Sequence, residues 1–202
     1  MGNFFSRLRR TPTRKILILG QEKSGKTTIF SIINQKYNNK PKKLMDESKV
    51  QDEKNPQNKK MVDKSIGFNV DLIKDIVVWD LSGNKTMSKF WSCYFDNVDG
   101  VIWVLDAFKT DNTILDLMHD FLLSISLEKV KILVFIHKSD LVDEEVTVNL
   151  TEKVESMFTN RKIKITSTSV TNPQFIYEGF DWLNETMFVS KGRVLDYLPF
   201  YK

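Results

Sequence analysis

The chain has 202 residues, 41% hydrophobic and 28% charged, values that exclude a collagen-like or globally disordered protein and allow one domain with a sizeable core. Its 30 basic and 26 acidic side chains leave a net charge of +4, too small for bulk binding to nucleic acid, so no nucleic-acid partner is expected. A single cysteine, Cys93, no secretory h-region and no apolar run near the ~20 residues of a bilayer-spanning helix point to a reducing, cytoplasmic setting.

The first 12 residues read as a separate element. Met1, Gly2 and Ser6 fit the M-G-x-x-x-[ST] acylation pattern, which makes Gly2 a candidate lipidation site. Phe4, Phe5 and Leu8 share one helical face while Arg7, Arg9 and Arg10 supply charge, as an interfacial helix requires; Pro12 ends it. One myristoyl chain holds a membrane only marginally, so the aromatic face and the arginines would be the second signal.

RKILIL (14–19) predicts a buried strand that runs into Gly20. After Gly25, the spacing of Ile29, Ile32 and Ile33 predicts a helix. Residues 38–64 hold eight lysines, five acids and no aromatic residue, and predict a long polar insertion. IGFNVDLI (66–73) and IVVWDL (76–81) predict a hairpin turning at Lys74 and Asp75. An amphipathic stretch around KFWSCYF follows, then a strand at 101–108 and a helix over 112–127. A strand at 131–137, a helix at 146–158, a strand at 162–170 and a helix at 177–188 complete the series. About six strands and five helices in βα succession predict an α/β fold, a mostly parallel sheet with one antiparallel hairpin strand and helices on both faces.

GQEKSGKT (20–27) matches G-x-x-x-x-G-K-[ST] between a predicted strand and helix, the context that gives the pattern its weight. Gly20 and Gly25 would let successive amides turn towards a polyphosphate, with the helix N-terminus behind them. Glu22, Lys23, Ser24 and Thr28 complete the candidate loop; Lys26 would reach the terminal phosphates and Thr27 would hold Mg²⁺. Asp80, at a strand's C-terminal edge, is a second candidate for Mg²⁺, and the Gly83 amide a candidate for the γ-phosphate.

The base is read from HKSDL. Asp140 would accept both N1–H and N2–H of guanine, a donor pair that adenine lacks. Lys138 would lay its stem over the ring, and the amides around Ser169 and Val170 would face O6. His137 opens this motif.

Taken together, MGNFFSRL, GQEKSGKTT, SIGFNV, VVWDLSGN, HKSD and YEGFDWL resemble the Arf and Arf-like branch of the Ras-type small GTPases over nearly the whole chain. The resemblance implies a P-loop NTPase small G domain over 13–202 and a monomer. It also implies a switch in which GTP and Mg²⁺ order residues near Ser65 to Gly67 and near Gly83 until hydrolysis to GDP releases them. Ser65 would then contact Mg²⁺, and Phe68, Trp79 and Tyr94 would form the branch's aromatic triad. A register shift of the hairpin at 66–81 would couple nucleotide state to release of the amino-terminal helix onto membrane. Partners implied are an exchange factor, a GTPase-activating protein, effector or coat proteins and a membrane surface of Golgi, vesicle or ciliary type.

Four departures from the branch matter. Ser65 replaces threonine and keeps its hydroxyl. Asn84 replaces the glutamine that positions water, and its amide would fall roughly 1.5 Å short, so hydrolysis should be slow. His137 replaces an asparagine that bonds N7 and braces the phosphate loop. The insertion at 38–64 is much longer than usual. Asn84, Lys26 and Gly83 are the candidate catalytic residues, acting by electrostatic positioning. A nucleotide-holding pseudo-GTPase without turnover remains an alternative; an ATP-using P-loop enzyme is disfavoured by Asp140. The carboxyl end, LPFYK, has no prenylation cysteine.

Overall fold

A computed structural model describes residues 14–38, 67–124, 130–159 and 161–187. The amino-terminal element with Gly2, most of the polar insertion, Ser65 and LPFYK lie outside the described residues.

The strands are β1 (Arg14–Leu19), β2 (Phe68–Ile73), β3 (Ile76–Leu81), β4 (Gly100–Asp106), β5 (Lys131–His137) and β6 (Ile163–Thr168). The helices are α1 (Lys26–Asn38), the one-turn α2 (Lys85–Ser88), α3 (Asn112–Ser124), α4 (Glu144–Met157) and α5 (Gln174–Thr186). The strand order is β2-β3-β1-β4-β5-β6. All neighbours are parallel except β2 and β3, which pair antiparallel from Phe68 opposite Leu81 to Ile73 opposite Ile76. Lys74, at φ 57°, makes the two-residue turn.

β1, β3 and β4 are buried along their whole length, because helices cover both sides and leave neither face to solvent. Alternate residues then serve opposite layers. Ile16, Ile18, Val78, Ile102 and Phe135 pack with Ile29 and Ile33 of α1 and with Ile176, Phe180 and Leu183 of α5. Leu17, Trp79, Trp103 and Val134 pack with Leu115, Met118 and Leu122 of α3 and with Leu150 and Val154 of α4. Each large side chain fully withdrawn from water contributes about 1.5–3 kcal/mol, which makes this double layer the main source of stability.

The boundaries differ from the periodicity in places. Helix α1 takes in Asn38, whose carboxamide donates to the Leu72 carbonyl at 2.8 Å. Helix α4 begins at Glu144, ahead of the apolar pattern, with Glu144 and Glu145 placing acidic charge in its first turn, and α5 begins at Gln174, directly after Pro173. β4 stops at Asp106, whose Oδ1 accepts from the Phe108 amide at 3.1 Å and starts a turn. The stretch around KFWSCYF is a single 3₁₀ turn, Trp91–Tyr94. Among the described residues no helix is long and apolar enough to cross a membrane.

Candidate functional site

The site lies along the C-terminal edge of the parallel strands, where open α/β sheets leave a crevice. Its floor is the loop between β1 and α1. Gly20 (φ 140°) and Gly25 (φ 103°) adopt backbone angles that side chains disfavour, and a Cβ on Gly20 would fall 2.3 Å from the Val104 carbonyl oxygen. Lys23 also takes a left-handed conformation.

Lys26 is buried and its Nζ donates to the carbonyls of Gly20 (2.9 Å) and Gln21 (2.7 Å). Burial pulls its ammonium down to about 8 against the opposing pull of Asp80 and Glu22. An anion at this loop would favour the charged form.

Thr27 Oγ1 donates to Asp80 Oδ2 at 2.7 Å, and Asn69 Nδ2 donates to the same oxygen at 2.9 Å. Burial pushes the Asp80 carboxyl up, and the hydrogen bonds from Asn69 and Thr27 and the Lys26 charge pull the other way. Asp80 Oδ1 and Ser24 Oγ are buried with no hydrogen-bond partner. A buried carboxylate with one oxygen uncommitted, beside a threonine hydroxyl, is a donor set that fits a hard divalent cation.

Gly83 closes this end. A Cβ there would lie 2.4 Å from both the Gly20 carbonyl oxygen and Lys26 Nζ, so a side chain would fill the cradle. Asn84 is exposed, and its Oδ1 accepts from the Thr86 amide at 2.9 Å as the N-cap of α2.

At the other end His137 terminates β5, 1% exposed, with Nδ1 3.1 Å from Thr168 Oγ1. Burial, and then the neighbouring Lys138 charge, lower its basicity, outweighing Asp140 and Asp106. Lys138, at φ 64°, sends Nζ to the Lys23 carbonyl (2.8 Å) and to Asp106 Oδ2 (2.5 Å). Asp140 sits in the following 3₁₀ turn, near Thr171 Oγ1 at 3.4 Å. Ser169 Oγ is 2.8 Å from Thr171 Oγ1 and accepts from the Asn172 amide, which shapes the β6–α5 loop.

The two ends share a cavity of about 410 Å³. It is lined by Lys23, Gly25, Lys26, Thr27 and Thr28 from the first loop and by His137, Lys138, Asp140, Leu141 and Val170 from the loops after β5 and β6. Thus most candidate residues converge. Gly20, Glu22, Ser24, Asp80, Gly83, Asn84 and Ser169 are not among the lining residues, although Asp80 accepts from Thr27 and Gly83 abuts the loop.

Sequence reasoning missed Asn69 and Asp106. Asn69 was within reach: a two-residue turn at Lys74 and Asp75 sets the register, and counting outward places Asn69 opposite Asp80. Asp106 is the last residue of β4 and lies, like Asp80 on β3, at the C-terminal end of its strand. The expected aromatic triad does assemble: Phe68 to Trp79 is 4.9 Å between ring centroids, and Tyr94 is 5.7 Å from each.

The model of the ADP-ribosylation factor family matches residues 1–187. ADP-ribosylation factor 3 of Arabidopsis thaliana is 28% identical over 187 residues, spanning 88% of this chain and 90% of its own. ADP-ribosylation factor 1 of Brassica rapa subsp. pekinensis gives the same values. Among solved structures, the Arl6 BBS3 small GTPase from Trypanosoma brucei with bound nucleotide analogue GppNp matches with a TM-score of 0.59 at 22% identity. That match covers 86% of this chain and 96% of the other, and it shows a shared fold.

Proposed function

The chain belongs to the ADP-ribosylation factor family of small GTPases, and from that premise we propose that it is a Mg²⁺-dependent GTP switch with slow intrinsic hydrolysis that acts at membranes. The observation that carries the reading is the single cavity joining the Lys26–Thr27 loop to Asp140.

In this reading the amides from Glu22 to Thr28 bind the phosphates at the N-terminus of α1. Lys26 releases the Gly20 and Gln21 carbonyls, in part or wholly, to address the terminal phosphates. Thr27 and Asp80, with Ser65, would hold Mg²⁺, which when bound offsets phosphate charge. Asp140 accepts two guanine donors, Lys138 presents its stem to the ring, and Ser169 and Val170 lend backbone amides. His137 braces the loop from behind. Catalysis is positional: Gly83 and Lys26 face the charge that develops on the terminal phosphate, and Asn84 orients water. Asn84 must leave the Thr86 amide to do so, and its short side chain makes the step slow.

The Asn84 cap also favours a second reading, a protein that holds nucleotide and partner without turnover. Single-turnover hydrolysis with and without an activating protein separates the two.

The acylation pattern at Gly2 and the basic, aromatic amino terminus support attachment to Golgi or vesicle membranes in a nucleotide-dependent manner. An exchange factor, an activating protein and effectors would read the hairpin and its aromatic triad. Liposome flotation of the full chain with GDP and with a GTP analogue tests coupling and anchoring together. Equal flotation in both states, or none, would overturn the membrane half of the reading.

A further inference from the structure

Trp91 is 2% exposed, and its indole Nε1 donates to the Ser82 carbonyl at 3.0 Å. Ser82 is held on its other side as well, since its amide donates to the Gly67 carbonyl at 3.1 Å. The Ser82 carbonyl and the Gly83 amide belong to one peptide unit, and in a trans peptide the two point in opposite directions. Anchoring that carbonyl on Trp91 therefore sends the Gly83 N–H away from the indole. Gly83 is also the residue at which a Cβ would meet the Gly20 carbonyl oxygen and Lys26 Nζ.

We propose that Trp91 is a positioning residue: its indole N–H orients the Ser82–Gly83 peptide so that the Gly83 amide addresses the terminal phosphate of a nucleoside triphosphate. The inference rests on the nucleotide-switch reading above. Trp91 packs edge-on against Trp103 at 5.6 Å and against Phe121 at 5.0 Å, so its ring is fixed by the core under α3. A signal at the phosphate thus reaches that core through one hydrogen bond.

Trp103 supplies the control. It lies in the same cluster, yet its Nε1 is buried with no hydrogen-bond partner. Trp91→Phe and Trp103→Phe both remove ring volume from one region, and only the first removes the bond to Ser82.

The test is titration of the full chain, wild type and both variants, with fluorescent GDP and a fluorescent GTP analogue. Trp91→Phe is expected to leave GDP affinity within about twofold and to weaken the GTP analogue by about five- to tenfold, the value of one neutral hydrogen bond. Trp103→Phe should leave the ratio of the two affinities unchanged. An unchanged ratio in Trp91→Phe, or an equal change in both variants, overturns the proposal. A wild-type chain that binds neither nucleotide overturns the switch reading itself and this inference with it, a result visible before any variant is made.

If Trp91→Phe does not fold, ¹⁵N-indole NMR of the wild type decides. Donation by the Gly83 amide polarises the shared peptide and strengthens the Ser82 carbonyl as acceptor. Exchanging GDP for the GTP analogue should then move the Trp91 Nε1–H resonance downfield and leave Trp103 nearly in place. Equal or absent shifts overturn the proposal.

Discussion

His137 lies against Gly25: a Cβ on that glycine would fall 2.4 Å from His137 Cδ2 and 2.9 Å from Nε2. One imidazole thereby braces the phosphate loop while its other nitrogen meets Thr168 on β6. The loop before α1 and the His137 end of the cavity are mechanically one unit.

Gly25→Ala should break that unit. The new methyl meets a ring that is 1% exposed, and φ 103° disfavours any side chain. A loss of roughly 2 kcal/mol or more in unfolding free energy is expected, with nucleotide affinity falling below detection. Thermal melts and nucleotide titration read the two effects, and a variant that melts and binds like the wild type would refute the contact.

His137 should make stability depend on pH. Its folded basicity is lowered from the ordinary 6.5 by burial and by Lys138, so the unfolded chain takes up a proton that the folded chain resists. Above about pH 6.5 both states are neutral at this residue and the contribution is flat. Below it, stability falls by up to about 1.4 kcal/mol per pH unit until the folded ring itself protonates. Urea midpoints at pH 7.5, 6.5 and 5.5 should diverge between wild type and His137→Gln; parallel curves would assign the acid sensitivity elsewhere.

Asn84→Gln exchanges a good N-cap for a poor one and lengthens the amide by a methylene. Helix α2 should lose about 1 kcal/mol of local stability, while single-turnover GTP hydrolysis should accelerate because the amide now reaches the water. A rate equal to wild type would show that reach was not limiting and would favour the reading without turnover.

Asp140→Asn leaves one acceptor where guanine needs two and aims an N–H₂ at a donor. Two charge-assisted hydrogen bonds at about 1.5–3 kcal/mol each set the scale, so guanine affinity should fall on the order of a hundredfold or more. Xanthine, which offers an acceptor at C2, should gain relative to guanine. Competition among guanine, xanthine and adenine nucleotides checks this, and unchanged guanine preference would remove Asp140 from the base site.

Much of the fold was legible. β1, β3 and β5 run over the residues that their apolar stretches outlined, and the turn at Lys74 and Asp75 stands where the hairpin required it. The start of α4 was not, since Glu144 and Glu145 are acidic first-turn residues that carry no apolar period; at α5 the buried Ile176, four residues before Phe180, was an apolar signal passed over. In the site, Gly20 to Thr27 were readable because one contiguous loop supplies them. Asn69, Asp106 and Trp91 were not singled out, since each acts through a partner from another segment of the chain: Asp80, Lys138 and Ser82 respectively.

By itself the order of residues determined the βα succession, the glycine-rich loop before α1 and the candidacy of Asp140 for a base, because local periodicity and contiguous motifs need only short-range chemistry. Tertiary structure alone decided that His137 would rest on Gly25 and that an indole eight residues beyond Gly83 would hold the neighbouring carbonyl. Such contacts depend on how the strands are ordered side by side and on which face each residue presents. Those are outcomes of packing the whole core, which no single segment of the chain specifies.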